Sequence, residues 1–250
     1  MDLSYQLYSS RADADLAGVL KHLAETGYKQ VEGFGGVMGD PAGLRAMMDA
    51  LGLTMPSAHF AIDDLEAKPD EMLSLAETLG VQTIYAPFLP PEDRPTDGAG
   101  WTAFAERLAK VGERVRSAGR NFGWHNHDFE FFALEDGTVP MEVILKTASD
   151  VEWEADIAWV VRGGADPFAW IDRHAARISS VHLKDIAPDG ECLDEDGWAD
   201  VGEGTMPWAE LLAAVRTKTP ARTYVMEHDK PSDPRRFAER AFKNVQMMGS

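Results

Sequence analysis

The hydrophobic pattern of this chain repeats one unit: an apolar stripe at helical spacing, a glycine, then a short β-prone run. The glycines fall in Thr26-Gly27-Tyr28, Leu51-Gly52-Leu53, Leu79-Gly80-Val81 and Ala118-Gly119-Arg120. Glycine just past a helix is the usual left-handed cap. The runs that follow, residues 28–34, 53–60, 81–88 and 121–126, read as strands. Similar runs at 3–8, 151–159, 178–184 and 222–228 bring the predicted strands to eight. Helical patterns sit between and after them. The clearest begin at Asp40-Pro41, Asp166-Pro167 and Asp233-Pro234, each a capping carboxylate followed by proline at the first helical position. Apolar residues then recur at helical spacing, as in Leu44, Met47, Met48, Leu51 and in Trp208, Leu211, Leu212, Val215. Residues 68–79 and 101–118 fit the same pattern.

Strict alternation of strand and helix means parallel βα units. Eight of them in 250 residues predict a single (β/α)8 TIM barrel of the α/β class spanning 1–250. The alternative, a doubly wound open sheet, usually carries a glycine fingerprint after its first strand. Here Ser9-Ser10-Arg11 stands in that place. The run Gly33-Phe34-Gly35-Gly36-Val37-Met38-Gly39 follows the second strand and misses the fingerprint by one position, so it reads as a loop at a barrel mouth. Residues 87–100 and 186–207 are expected to be further loops over that mouth.

Composition narrows the class. Hydrophobic residues make up 44% and charged residues 26%, ordinary values for a globular protein. No apolar run reaches the roughly 18 residues of a membrane helix. The opening Met1-Asp2-Leu3-Ser4 has no basic segment followed by an apolar one, so a cytoplasmic location is expected. Cys192 is the lone cysteine, which excludes an intramolecular disulfide and a cysteine-based zinc site. Lys and Arg total 24 against 42 Asp and Glu, a net charge of −18. Such a chain is a poor partner for nucleic acid or an anionic membrane. Its carboxylates either keep it soluble or hold a cation.

The active site of a TIM barrel lies at the C-terminal ends of its strands. Those ends read Gln6-Leu7-Tyr8, Glu32, His59, Trp124-His125-Asn126-His127, Glu152-Trp153-Glu154-Ala155-Asp156, His182-Leu183-Lys184-Asp185 and Glu227-His228-Asp229. Buried charges without partners are costly, so this concentration of ionisable groups points to chemistry. Residues i and i+2 share a strand face. Glu154 therefore points with Asp156, His125 with His127, His182 with Lys184, and Glu227 with Asp229. Asp156, His182 and Glu227 come from consecutive strands and can converge on one divalent ion, with mixed oxygen and nitrogen ligands suited to Mn, Mg, Co or Zn.

These pieces occur in a particular order at βα spacing. They are Gln6-Leu7-Tyr8-Ser9-Ser10-Arg11, Trp124-His125-Asn126-His127-Asp128-Phe129-Glu130-Phe131, Asp156-Ile157-Ala158-Trp159-Val160, Gly163-Gly164-Ala165-Asp166-Pro167, His182-Leu183-Lys184-Asp185, Gly202-Glu203-Gly204 and Glu227-His228-Asp229. In this order the chain resembles the xylose-isomerase-like family of sugar phosphate isomerases and epimerases, which also holds inosose dehydratases and endonuclease IV. The resemblance implies one divalent metal held by a Glu ending strand 5, an Asp on strand 6, a His on strand 7 and a Glu on strand 8. Asp156, His182 and Glu227 carry over. The strand-5 Glu does not: His125-Asn126-His127 stands there, with Glu130 shortly after. His125 or His127 is the expected fourth ligand, with His125 preferred.

The expected reaction moves a proton next to a carbonyl through a metal-stabilised enediolate, in an isomerase or epimerase. Glu227 is the first acid/base candidate, followed by His127 and Glu154. Lys184 is expected to donate to a developing oxyanion or grip a substrate oxygen. Gln6, Tyr8, Glu32 and His59 are candidate substrate-binding residues, and Trp124 and Trp159 are expected to wall the pocket. The expected partner is a carbohydrate or cyclitol, and homo-oligomers are common among barrels of this kind. An inosose-type dehydratase or keto-sugar lyase would use the same metal site. A sugar-binding barrel without catalysis and a repair endonuclease are the readings from other classes, and the acidic charge opposes the last.

Overall fold

The computed structural model describes residues 2–248. Its strands are β1 (Leu3–Gln6), β2 (Gln30–Phe34), β3 (Thr54–His59), β4 (Thr83–Ala86), β5 (Asn121–His125), β6 (Glu152–Asp156), β7 (Ile178–Leu183), β8 (Asp185–Ile186), β9 (Trp198–Ala199) and β10 (Thr223–Met226). Eight of them close a parallel barrel in the order β1-β10-β7-β6-β5-β4-β3-β2, as the alternation predicts. Strands β8 and β9 form a separate antiparallel pair inside the long loop after β7.

Most observed strands are shorter than predicted, because the chain turns away at the mouth. After β1, Leu7–Ser10 form a 3-10 turn, with the Gln6 side chain accepting from Tyr8 N. After β6, Asp156 caps the helix Ile157–Arg162 by accepting from Trp159 N at 2.9 Å. The predicted caps are in place. Asp40 accepts from Gly43 N at 3.0 Å, Asp166 from Phe168 N at 2.9 Å and Asp233 from Arg235 N at 2.9 Å. Gly27 and Gly52 close their helices with φ of 118° and 67°. The helix expected at 101–118 runs Gly98–Ser117, because Asp97 caps it by accepting from Gly100 N at 2.7 Å.

Parity along the strands separates packing from chemistry. Phe122 and Trp124 on β5 face the helix Gly98–Ser117, where Trp124 meets Phe104 edge-on at 5.2 Å. Trp153 on β6 meets Trp170 of the helix Pro167–His174 at 6.1 Å. The alternate residues, His125, Glu154 and Asp156, face into the barrel.

The loop between β8 and the next helix is folded around one carboxylate. Asp185 accepts from Ile186 N at 2.9 Å, Gly202 N at 2.8 Å and Met206 N at 3.0 Å. Gly202 has a φ of 87°. A Cβ on Gly204 would run into the Asp185 carboxylate and the Ile186 carbonyl. The Gly202-Glu203-Gly204 motif is therefore the seat of this carboxylate. Further along, Glu195 accepts from Ser232 N at 2.7 Å and from Arg236 Nη2 at 2.9 Å, tying the loop to the segment after β10. Among the described residues no helix is long and apolar enough to cross a membrane.

Candidate metal and carbohydrate site

Two storeys of polar side chains fill the top of the barrel. The deeper one centres on two carboxylates. Glu32 on β2 accepts from Gln6 Nε2 at 2.9 Å and from Ser57 Oγ, and lies 2.7 Å from His182 Nε2. Glu154 on β6 lies 2.7 Å from His59 Nε2 and 3.3 Å from both His182 Nε2 and His125 Nδ1. His59 stacks on His182 with ring planes 9° apart. The carboxylates and His182 are fully buried. Burial opposes a charge on His182, but Glu154, Glu227 and Glu32 outweigh it and hold its pKa well above the usual imidazole value. His182 Nδ1 lies 2.8 Å from a Glu227 oxygen and its Nε2 2.7 Å from a Glu32 oxygen, so both ring nitrogens are held between carboxylates. His125 is the opposite case: burial and the neighbouring His182 push its pKa down to about 3, so it is a neutral imidazole.

The upper storey is built around Lys184. Its Nζ lies 3.0 Å from Asp156 Oδ2, 2.9 Å from Glu227 Oε2 and 2.9 Å from Asp229 Oδ2. Burial alone would discharge the lysine, but these three carboxylates hold it charged. Burial raises Asp156 to about 6, with Lys184 pulling against it. Glu227 is held well below the usual range, because Lys184 and His182 outweigh its burial. Asn126 sets the height of Asp156: its Oδ1 accepts from Asp156 N at 3.0 Å and Trp153 Nε1 at 2.7 Å, and its Nδ2 donates to Asp156 O at 3.1 Å.

The donor set fits a divalent cation. Ligand atoms of His125, Asp156, His182 and Glu227 all lie within 4.8 Å of one another, as do those of His59, His125, Glu154 and His182. His125 Nδ1, Glu154 Oε1 and Asp156 Oδ2 are buried without a hydrogen-bond partner. Asp156 Oδ2 is near the Lys184 ammonium but not in hydrogen-bond alignment with it. Two imidazoles and two carboxylates suit Mn, Co or Zn by ligand type, with Mg the least favoured by nitrogen.

A cavity of about 1070 Å³ opens above these storeys. Its polar floor is made by His59, His125, His127, Glu227 and Asp229. Tyr8 and Trp159 line it as the sequence predicts. Five other predicted catalytic or substrate-binding residues lie outside its lining. Trp124 faces the helix layer and donates from Nε1 to Glu130 at 2.9 Å, so it walls no pocket. Gln6 and Glu32 are buried beneath the floor, where they contact His59 and His182. Lys184 is buried among three carboxylates, with its Nζ 5.1 Å from the Trp159 ring that lines the cavity. Glu154, also below the floor, is a positioning residue for three imidazoles. Glu130, shortly after the His-Asn-His run, accepts from Trp124 Nε1 and His127 N and braces the end of β5.

Sequence reasoning passed over Asn126, Ser57, Arg162, Phe88 and Trp198. Asn126 carries a signal, since it sits inside the His-Asn-His run. Phe88 and Trp198 carry none, because loop residues have no period that aims them.

A family profile described as xylose isomerase-like TIM barrel matches residues 20–245. The chain is 26% identical over 195 residues to the rhizopine catabolism protein MocC of Rhizobium meliloti, covering 71% of this chain and 59% of that protein. Among solved structures it resembles a sugar phosphate isomerase/epimerase from Parabacteroides distasonis, at a TM-score of 0.82 and 23% identity, covering 98% of this chain and 93% of that one. It also resembles the IolI protein with a bound zinc atom, at a TM-score of 0.75 and 16% identity, covering 100% and 96%. At these identities the structural likenesses establish the fold.

Proposed function

The chain belongs to the xylose isomerase-like TIM barrel family, and on that premise we propose that it is a divalent-metal-dependent enzyme moving a proton next to the carbonyl of a sugar or cyclitol, as an isomerase or epimerase. One observation carries this reading. His125, Asp156, His182 and Glu227 reach from four strands to within ligand distance of one another, with buried donor atoms left unpartnered. The zinc atom in the IolI neighbour and the sugar isomerase/epimerase described for the Parabacteroides neighbour support it.

A bound ion would supply Lewis acidity, stabilising the negative charge that develops on oxygen as the neighbouring proton leaves. Glu227 stays ionised and lines the cavity, so it is placed to accept that proton. His127 lines the same floor with its Nδ1 unpartnered and its pKa pushed well down by burial, so it is a neutral imidazole available to a hydroxyl. Glu32 and Glu154 orient His59 and His182 from below. Lys184 balances the crowded carboxylates of the upper storey.

A second reaction fits the same site. His125 occupies the place of a carboxylate and holds a proton poorly, which weakens a symmetric two-base epimerisation. Loss of water from a keto-sugar can use a single group: Glu227 would take the proton next to the carbonyl and return it to the departing hydroxyl, which leaves as water. The decisive measurement is metal content of the purified protein beside Asp156→Asn, followed by incubation of keto-sugars with the protein in deuterated water. We expect about one equivalent of metal in the parent, a marked loss in the variant, and deuterium entering the position next to the carbonyl. A new ultraviolet absorbance with loss of water would select the dehydratase. No metal in either protein after soaking with Mn²⁺, Co²⁺, Mg²⁺ and Zn²⁺ would overturn the metal reading.

A further inference from the structure

The cavity is larger and more one-sided than a monosaccharide requires. Pockets of about 300–1,000 Å³ enclose drug-sized ligands, and this one measures about 1070 Å³. The charged floor described above is supplied mainly by β5 and β10. The opposite side follows β1 to β4 and is mainly aromatic and aliphatic, with Tyr8, Phe34, Met38, Phe60, Met72 and Phe88 lining it and Asp64 and Glu71 set among them. Tyr8 and Phe34 meet edge-on at 5.2 Å, and Phe88 meets His127 of the floor at 5.3 Å, so the aromatic wall is continuous with the proposed catalytic groups. Phe88 is 42% exposed and Tyr8 37% exposed, so both rings offer surface to a ligand.

The charge lining argues against a phosphate. Among the described lining residues Asp64, Glu71, Asp196, Glu227 and Asp229 face a single guanidinium, that of Arg162. Arg162 is itself engaged, 3.1 Å above the Trp198 ring with Nη2 donating to Asp196 O at 2.8 Å. Near the rim, Arg11 lies over Tyr8 at 4.0 Å and Arg94 over Phe129 at 3.6 Å. Lys184 is shut below the floor.

We infer that the substrate is an unphosphorylated sugar or cyclitol carrying an apolar, ring-sized substituent, with the polar ring over His127 and Glu227 and the substituent along the Phe34–Phe88 wall. This rests on the carbohydrate reading above and adds the substrate class. The test titrates phenyl and methyl β-glycosides of the common hexoses, the matching hexose 6-phosphates, and 2-naphthol, against the metal-loaded protein and its Phe88→Ala variant by calorimetry. At least one phenyl glycoside should bind about tenfold or more tighter than its methyl partner. That ratio should fall towards one in Phe88→Ala, and the phosphates should bind more weakly than the sugars. Methyl and phenyl glycosides of equal affinity, or a phosphate that binds best, overturn the inference and leave the carbohydrate reading standing. Binding of 2-naphthol with no binding of any sugar overturns both. Phe88 is half exposed, so the variant is expected to fold, and unchanged circular dichroism verifies that.

Discussion

Replacing Asp185 with alanine removes the acceptor of three backbone N–H groups, those of Ile186, Gly202 and Met206. Hydrogen bonds to a charged group contribute about 1.5–3 kcal/mol each. Three such bonds set an upper limit that the structure does not reach. Ile186 and Gly202 are partly exposed and can turn to water, whereas Met206 is buried. Burial also pushes the Asp185 carboxyl up, so part of the gain is already offset by desolvation. We therefore expect Asp185→Ala to cost about 2–4 kcal/mol. The cost should fall on the loop, because these bonds close the chain between β8 and residue 206 and leave the barrel ladder intact. Hydrogen exchange reads this directly. Amides in 186–206 should exchange roughly 30- to 700-fold faster in the variant, at about 1.4 kcal/mol per tenfold, while those of β5 to β7 keep their protection. Acceleration below tenfold in the loop, or a uniform acceleration across the barrel, would refute the view that this one carboxylate organises the loop. Gly204→Ala should give the same local pattern, since its Cβ displaces the carboxylate.

Burial pushes Glu130 from an ordinary 4.5 to about 8, so ionising it costs the folded state more than the unfolded chain. Stability should fall as pH rises from about 4.5 to about 8, and Glu130→Gln should flatten that slope in urea midpoints. Glu195 behaves in the opposite sense: Ser232 and Arg236 outweigh its burial and hold it at about 2. Its contribution is present above about pH 4.5 and is lost as pH falls towards 2, so Glu195→Gln should reduce the acid sensitivity of unfolding. Arg236→Ala removes the guanidinium that Glu195 and Asp200 share, leaving Asp200 with Arg240 and Glu195 with Ser232 N, and should cost about 2 kcal/mol by chemical denaturation, less than a fully buried pair because the guanidinium is 26% exposed.

The barrel was readable because its punctuation is local. Asp40, Asp166 and Gly27 act on their own helix ends, and no distant contact overrides them. The charged strand ends were readable for a similar reason: period-two parity sends Glu154 with Asp156 and His182 with Lys184 whatever surrounds them. Parity does not tell inside from outside, however. Trp124 and His125 are adjacent, and the sequence reading placed both in the pocket, although one must face the helices. Depth was equally hidden. Gln6, Glu32 and Lys184 have the chemistry of contact residues, but the tilt and register of the barrel set them a layer below the floor. Glu32 pairs in register with Ser57, and Asp156 with His182, and such partners exist only once the barrel is closed.

Most of the apolar wall and most of the polar floor belong to different halves of the polypeptide. Strands β1 to β4 and their loops carry Tyr8, Phe34, Phe60 and Phe88, whereas β5 onward carries His127, Asp156, His182 and Glu227. On the proposed reading, the surface that would select the substrate and the groups that would react with it lie largely on separable stretches of one gene. Recombining the first half with that of a relative would retune selectivity while leaving the reacting groups untouched. Several side chains constrain the seam, among them Tyr85, which bonds to Ser179 Oγ at 2.8 Å, and Ser9, which accepts from His228 N at 3.0 Å. His59 and Glu32 come from the first half yet bond to Glu154 and His182 of the second. A functional chimera must keep those residues, while the cavity-facing side chains of the wall are open to change.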